Sequence, residues 1–200
     1  NTSGKTSWQT FSYEDSTRRL SRLQVDRQSV ATSDADLNYS YDPAGNVTKI
    51  ADTPSGKPVD TQCFRYDYLR RLTESWTATD DCAANPALAV VGGPAPYWHT
   101  HDYDPVGNRL SEVQHASTGD TTRTFTYPAP GAARPHAVSS IAETGPGGAK
   151  SYSYGYDNAG NATTRNQPTG NQAVAWDNEG RVASVFQSGQ VTSFVYDPNG

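Results

Sequence analysis

The chain has 200 residues, a formal net charge of −5 and a hydrophobic content of 34%. This length suffices for one domain or for part of a larger one. No stretch approaches the roughly 20 apolar residues that a membrane-spanning helix needs, so none is predicted. The mild acidity and the scattered arginines give no basic patch, which argues against nucleic-acid binding.

Aromatic residues carry much of the apolar surface of this chain. It contains 12 Tyr and 4 Trp, and each such ring can bury on the order of 150–250 Å². Disordered chains combine a high net charge with few aromatic residues, so the composition favours a folded β-structure with a thin core. Because the sequence starts at Asn1 and contains no methionine, we expect it to be a piece of a longer polypeptide.

One short pattern recurs along the chain. It consists of an aromatic residue, aspartate, two turn residues, glycine, and asparagine or arginine. Looser copies bring the number of lead aromatic residues to eight. They are Tyr13, Tyr41, Tyr66, Tyr103, Tyr127, Tyr156, Trp176 and Tyr196. Their spacing lies in the length range of stacked supersecondary units.

Each copy predicts a strand followed by a tight turn. A bulky residue usually stands two positions before the lead aromatic residue, as Tyr39 does before Tyr41, and this spacing puts both side chains on one face of a strand. Aspartate then begins a type I turn, and glycine takes the left-handed conformation that closes a three-residue hairpin connection. The turn residues assigned in this way are Asp42, Gly45, Asp104, Gly107, Asp157, Gly160, Asp177 and Gly180.

Two details of the hairpins can be predicted further. Arg70 occupies the glycine position in the copy at Tyr66, where a non-glycine residue costs about 1 kcal/mol or more, so we expect this turn to be built differently. After the turns, apolar residues recur three positions apart, as Val47 and Ile50 do. Three is not a strand period, which predicts a bulge in the returning strand.

The segments between the copies are predicted to be loops, apart from one strand. Residues 1–10 are expected to be irregular, residues from about 77 to 97 and from 128 to 135 are expected to form insertion loops, and residues 136–141 are expected to form a short strand. None of these segments is typical of a domain linker, because copies continue on both sides. We therefore interpret residues 1–200 as a single fragment of about eight hairpin units.

The pattern aromatic–Asp–x–x–Gly–Asn/Arg resembles the YD repeat of the RHS proteins. This family includes bacterial polymorphic toxins, insecticidal toxin-complex shells and animal teneurins. The resemblance covers the chain from about Phe11 to Gly200, and the segment around Cys63, Phe64 and Tyr66 resembles actinobacterial versions. It implies an all-β fold, in which an array of antiparallel β-hairpins forms a curved or spiralling sheet that is part of a larger hollow β-shell.

The resemblance also implies a structural function. In bacterial members the shell encloses a C-terminal toxin domain, so the implied partners are flanking repeats of the same polypeptide and an encapsulated toxin, and the implied location is secreted or at the bacterial cell surface. The family's self-cleavage site cannot be assigned to the copy that begins at Tyr196. The alternative is a carbohydrate- or protein-binding repeat module of a secreted or cell-wall-associated protein, in which exposed aromatic rings contact sugars or a partner.

Catalytic and metal-binding motifs find little support. The sequence has no nucleophile elbow and no His-Glu-x-x-His, so we expect neither enzymatic activity nor a cofactor. One aspartate per turn is far from the six to eight oxygen ligands of calcium. His99 and His101, together with Asp102 and Asp104, could be interpreted as a metal cluster. However, His101 occupies an aromatic position of its copy, which favours packing.

The two cysteines leave two alternatives open. Cys63 and Cys82 could form a disulfide that closes a loop of about 20 residues and contributes about 3 kcal/mol. They could instead be two separate buried thiols. Two cysteines are too few for a structural zinc site.

Overall fold

All regular elements of the chain are β-strands. The computed structural model describes residues 6–28 and 30–197, and within them it contains fifteen strands and no helix. The strands are β1 (Ser7–Tyr13), β2 (Leu20–Arg27), β3 (Val30–Tyr41), β4 (Val47–Asp52), β5 (Asp60–Tyr66), β6 (Leu72–Thr77), β7 (Trp98–Tyr103), β8 (Arg109–Gln114), β9 (Thr121–Thr126), β10 (Ser140–Thr144), β11 (Lys150–Tyr156), β12 (Ala162–Gln167), β13 (Gly170–Trp176), β14 (Val182–Gln187) and β15 (Gln190–Ser193). The all-β prediction is confirmed.

The strands divide between two compact units. The first contains the residues up to His101 together with Gln114–Thr118, and the second contains Asp102–Val113 together with the residues from Gly119 onwards. In each unit the strands lie side by side in chain order, and the pairs are antiparallel, as between β3 and β4 or between β13 and β14. The predicted array of antiparallel hairpins is therefore confirmed.

The predicted bulge lies directly after the turn. Tyr41 pairs with Val47 while Ser40 pairs with Lys49, so Thr48 is the extra residue on the returning strand. The same shift accompanies the lead aromatic residue in four other hairpins, at Tyr13, Tyr66, Tyr156 and Trp176. This bulge explains the spacing of three between apolar residues, because one inserted residue brings positions three apart back to the same face.

The first unit buries a small core under its insertion. Cys63 and Trp76 lie opposite each other on β5 and β6, and both are buried together with Ala78. The segment between β6 and β7 then contributes Cys82 and Val91, which pack against this core. This segment is irregular apart from one isolated bridge between Ala78 and Val91.

The second unit buries carboxylates as well as apolar side chains. Phe125 and Val174 are its buried apolar residues, and Glu112 and Glu143 are buried as well. Arg123 bridges the two carboxylates, with its Nη1 3.0 Å from Glu112 and its Nε 2.8 Å from Glu143. Ion pairing therefore accompanies apolar burial in this unit.

Two predicted segments differ from the structure. Residues 7–10 lie in β1 and are not irregular, because Trp8 and Thr10 pair with β2 in regular register. The strand predicted at residues 136–141 begins only at Ser140, because Ala137 is held by a turn bond to the carbonyl of Arg134. The turn of the copy at Tyr196 reaches into residues 198–200, which lie outside the described residues.

Candidate functional site

The turn aspartate organises the hairpin connection in the regular copies. In the copy at Tyr41, the N–H of Gly45 donates to the carbonyl of Asp42 at 3.0 Å. The carboxylate of Asp42 accepts from the backbone N–H of Asn46 at 2.9 Å and from its side-chain amide at 2.7 Å. Gly45 has a φ of +95°, which a glycine adopts at no steric cost. One carboxylate thus fixes both ends of the turn.

Three further copies repeat this geometry in the second unit. The carboxylates of Asp104, Asp157 and Asp177 each accept from the backbone N–H of the residue four positions on, at 2.8–2.9 Å. The side chains that supply the second bond are Asn108, Asn161 and Arg181. The closing glycines are Gly107, Gly160 and Gly180, all with positive φ. The last position of the repeat is therefore a side-chain donor, which explains why it is asparagine or arginine.

These bonds keep the turn carboxylates ionised. The side-chain amide of Asn46 holds the pKa of Asp42 below its ordinary value, assisted by backbone N–H groups of the turn. The bond from Asn161 lowers the pKa of Asp157 in the same way. At Asp104 desolvation raises the pKa, but the bonds from Asn108 outweigh it. Among the described residues no group of three or more His, Cys, Asp and Glu side chains could hold a metal ion.

The prediction for the turn at Arg70 is wrong. Arg70 adopts a φ of +63°, and its N–H donates to the carbonyl of Asp67 at 2.9 Å, as glycine does in the other copies. The carboxylate of Asp67 accepts from the backbone N–H groups of Leu69 and Arg71 and from Nε of Arg71 at 2.6 Å. These bonds impose the standard turn on a residue that disfavours the left-handed conformation.

The lead aromatic residues link successive hairpins through their polar atoms. Tyr66 donates its hydroxyl to the carbonyl of Val47 at 2.9 Å, and Val47 is the first residue after the turn of the preceding hairpin. Trp176 uses its indole N–H in the same way, donating to the carbonyl of Ala162 at 2.9 Å. We call this series of bonds the aromatic ladder. Its other donor–acceptor pairs are Tyr41–Leu20, Tyr127–Arg109, Tyr156–Val138 and Tyr196–Val182.

Burial of four of the ladder tyrosines raises the pKa of their hydroxyl groups. Desolvation raises the pKa of Tyr41, Tyr66, Tyr127 and Tyr156 above the ordinary value. Tyr103 and Trp176 are likewise half-buried, at the ends of β7 and β13. The neutral hydroxyl is the form that donates to a carbonyl, so the rings keep this donor over the ordinary pH range.

Sequence reasoning missed the ladder, although the sequence carries a signal for it. Seven lead aromatic residues are tyrosine and one is tryptophan, whereas phenylalanine occurs two positions earlier, at Phe11, Phe64, Phe125 and Phe194. Tyrosine and tryptophan have a hydrogen-bond donor that phenylalanine lacks. The exclusion of phenylalanine from the lead position indicates that a donor is needed there.

The two cysteines are joined in the structure. Cys63 on β5 and Cys82 in the insertion form a disulfide, with their Cα atoms 5.9 Å apart. The insertion has two more attachments nearby, because Asp81 pairs with Lys49 at 2.8 Å and Asn85 accepts from Arg65 at 2.7 Å. The disulfide thus belongs to a set of bonds that fasten the insertion to β4 and β5.

Sequence comparison finds relatives among toxin subunits. The chain is 30% identical over 126 residues to the toxin subunit YenC1 of Yersinia entomophaga, and 28% identical over 132 residues to the toxin subunit YenC2 of the same organism. Each match covers 54% of this chain and 13% of the relative, so the chain spans only a small part of the curated relatives. No family model matches the chain.

Structure comparison gives a match over nearly the whole chain at low similarity. A crystal structure of TcdB2-TccC3-Cdc42 is matched over 96% of this chain and 11% of that one, with a TM-score of 0.49 and 14% identity.

No helix of the described residues is long and apolar enough to cross a membrane.

Proposed function

We propose that the chain, as an RHS protein with YD repeats, forms a segment of the wall of a hollow β-shell. The shell would enclose a C-terminal toxin or effector domain outside these 200 residues and help to deliver it. In this role the chain catalyses nothing and needs no cofactor. Its partners are flanking repeats and the enclosed domain, in a protein that is secreted or displayed at a bacterial surface.

The observation that carries the proposal is the uncovered aromatic surface of β1, together with the exposure of β15. The ladder residues from Tyr41 onwards are half-buried, whereas Tyr13 on β1 is 56% exposed. Trp8 and Phe11 on the same strand are exposed as well, and every residue of β15 is exposed. Repeat arrays bury such faces by stacking another unit against them, so both strands are suited to accept a further hairpin.

The ladder specifies how an upstream hairpin would dock on β1. In every described bond of the ladder, the acceptor carbonyl belongs to the returning segment of the preceding hairpin, after its turn. The hydroxyl of Tyr13 would then donate to the equivalent carbonyl of a hairpin upstream. Pairing with that hairpin would also cover the edge of β1, since open strand edges promote unwanted association.

Matched substitutions in two polypeptides test this arrangement. Tyr66→Phe removes an existing ladder bond, so it should lower the free energy of unfolding by about 1 kcal/mol both in the 200-residue chain and in a longer polypeptide with flanking repeats. Tyr13→Phe should have little effect in the 200-residue chain and a similar cost of about 1 kcal/mol in the longer polypeptide. Urea unfolding measures both. Equal effects of Tyr13→Phe in the two polypeptides would contradict docking on β1.

Enclosure of a cargo needs a separate experiment. In the full-length polypeptide, a domain that follows the repeats should resist a protease that digests the same domain when it is expressed alone. Urea concentrations that open the repeats should remove this protection. A domain that is cleaved equally fast with and without intact repeats would rule out the shell role, while leaving the hairpin stacking untouched.

A further inference from the structure

One hairpin of the second unit replaces the regular turn with a proline-containing loop. The copy at Tyr127 lacks the turn aspartate, and the loop that follows lies against the preceding turn through Asn108. This side chain donates to the carboxylate of Asp104 at 2.8 Å and to the carbonyl of Pro135 at 3.3 Å. Its Oδ1 lies 2.7 Å from Nδ1 of His136. With only 8% of its surface exposed, Asn108 joins the loop to the regular turn.

A cavity lies between the loop and that turn. Its volume is about 510 Å³, which is within the range of small-molecule sites. Most of its lining is apolar, with the side chains of Leu110, Phe125 and Tyr127 beside three prolines of the loop. The prolines are Pro128, Pro130 and Pro135. Val106, which also lines the cavity, is 69% exposed, so apolar surface remains uncovered here.

Apart from the hydroxyls of Thr126 and of Tyr127, which donates to the carbonyl of Arg109, the polar groups around this cavity are hydrogen-bond acceptors or already use their donors. The prolines have carbonyl oxygens but no N–H, and Asp104 is a carboxylate. Asn108 uses its amide hydrogens on Asp104 and Pro135, so its Oδ1 faces His136, whose Nδ1 must then carry the hydrogen. In the neutral ring the other nitrogen, Nε2, is an acceptor. The site thus suits a ligand that supplies the donor.

We propose that this cavity binds a planar aromatic ring that carries an O–H or N–H donor, as phenols and indoles do. The flat faces of the proline and aromatic side chains suit a ring, and the ring would bury the exposed surface of Val106. The negative charge of Asp104 disfavours anionic ligands, and a sugar would leave several of its hydroxyl groups without protein donors. The ring could be a free small molecule or the side chain of a tyrosine or tryptophan in another polypeptide.

Fluorine NMR with two matched probes tests the proposal on the 200-residue chain. 4-Fluorophenol has the donor and 4-fluorotoluene does not, although the two are nearly equal in shape. We expect the phenol to bind at least ten-fold more tightly. Val106→Trp should fill the mouth of the cavity and abolish binding of both probes, whereas Val191→Trp, at another exposed valine of the same unit, should leave binding unchanged.

A second variant separates the donor requirement from apolar burial. His136→Phe keeps a ring but removes one of the acceptors, so the phenol should lose part of its advantage while the toluene binds as before. Equal affinities for the two probes in the unaltered chain, absence of binding, or binding that persists in Val106→Trp would each overturn the proposal. Because Val106 is exposed, its variant should fold even if His136→Phe disturbs the loop.

A third probe distinguishes a free small molecule from a polypeptide side chain as the ligand that supplies the ring. N-acetyl-3-fluorotyrosinamide carries the same phenol within a peptide backbone. If it binds at least as tightly as 4-fluorophenol, the ring site is one for a polypeptide side chain. If only the free phenol binds, the site is one for a small molecule, and both results support a site for a donor-bearing ring.

Discussion

The two units are built from the same hairpin but stabilise it by different means. In the first unit a disulfide fastens an insertion over Cys63 and Trp76, and the buried cluster is apolar. In the second unit the carboxylates of Glu112 and Glu143 are buried and form ion pairs with arginine and lysine side chains. The repeat therefore defines strands and turns, while each unit supplements its thin core in its own way.

This difference predicts that the two units respond to different perturbations. A covalent bond is insensitive to pH in the acid range, whereas an ion pair is lost when its carboxylate is protonated. Reduction or removal of the cysteines should therefore affect the first unit. Acid should affect both units through turn carboxylates such as Asp42 and Asp157, and it should act on the second unit additionally through Glu143.

Removing the disulfide should have the largest effect. Replacing both Cys63 and Cys82 with alanine should lower the free energy of unfolding of the first unit by about 3 kcal/mol, because the cross-link no longer restricts the unfolded chain. Hydrogen exchange should increase in β4, β5 and β6. Exchange in β11 to β14 serves as the internal control, and equal acceleration there would show that the two units are not independent in stability.

Acid should act on the second unit through Glu143. Bonds from Lys150 and Arg123, at 2.7 and 2.8 Å, lower the pKa of this carboxyl from 4.5 to about 2. A depressed pKa contributes stability that is present above the unfolded pKa and lost as the pH falls towards the folded pKa. The contribution of Glu143 should therefore disappear between about pH 4.5 and pH 2.

Glu143→Gln tests this assignment. Because it leaves two cations beside a buried amide, we expect it to cost about 2 kcal/mol at pH 7, a value reduced for the partial exposure of Arg123 and Lys150. It should also flatten the acid limb of the stability curve between pH 4.5 and 2. Glu179→Gln, at a carboxylate whose side chain is 69% exposed, is the matched control. An unchanged acid limb in Glu143→Gln would contradict the role of this network.

The features that the sequence predicted are the local ones. The strand, the aspartate turn and the bulge after it all follow from residues within about ten positions, such as Tyr41, Asp42 and Val47. The restriction of the lead position to tyrosine and tryptophan shows that a donor is needed, but the acceptor is a backbone carbonyl of another hairpin, which no residue type marks in the sequence. The disulfide stayed open for the same reason, since Cys63 and Cys82 are 19 positions apart and only the fold brings them together.

The prediction for the turn at Arg70 was wrong for a different physical reason. A non-glycine residue at positive φ has a conformational free-energy cost, but the hydrogen bonds that hold this turn are stabilising. Asp67 accepts from Leu69 and from both the backbone and the side chain of Arg71, and together these bonds outweigh that cost. Local propensity is thus a weak guide where a side chain satisfies several backbone donors.

The smallest effect expected compares this turn with its equivalent in the second unit. Gly160 has a φ of +92°, and a Cβ there would meet no atom within 4 Å, so Gly160→Ala should be destabilising through backbone conformation alone, by about 1 kcal/mol. Arg70→Gly should be stabilising by a similar or smaller amount, because it relieves the same strain while giving the unfolded chain more freedom. Urea unfolding of the two variants measures both.

Arg70→Asn provides the control, because asparagine adopts the left-handed region more easily than arginine. Its stability should lie between those of the unaltered chain and Arg70→Gly. If Arg70→Gly is instead destabilising, the contacts of the arginine side chain and the lower freedom of the unfolded chain together contribute more than the backbone conformation costs. The turns of the two units would then differ in energetics despite their shared hydrogen bonds, and the contrast between the units would extend from their cores to their connections.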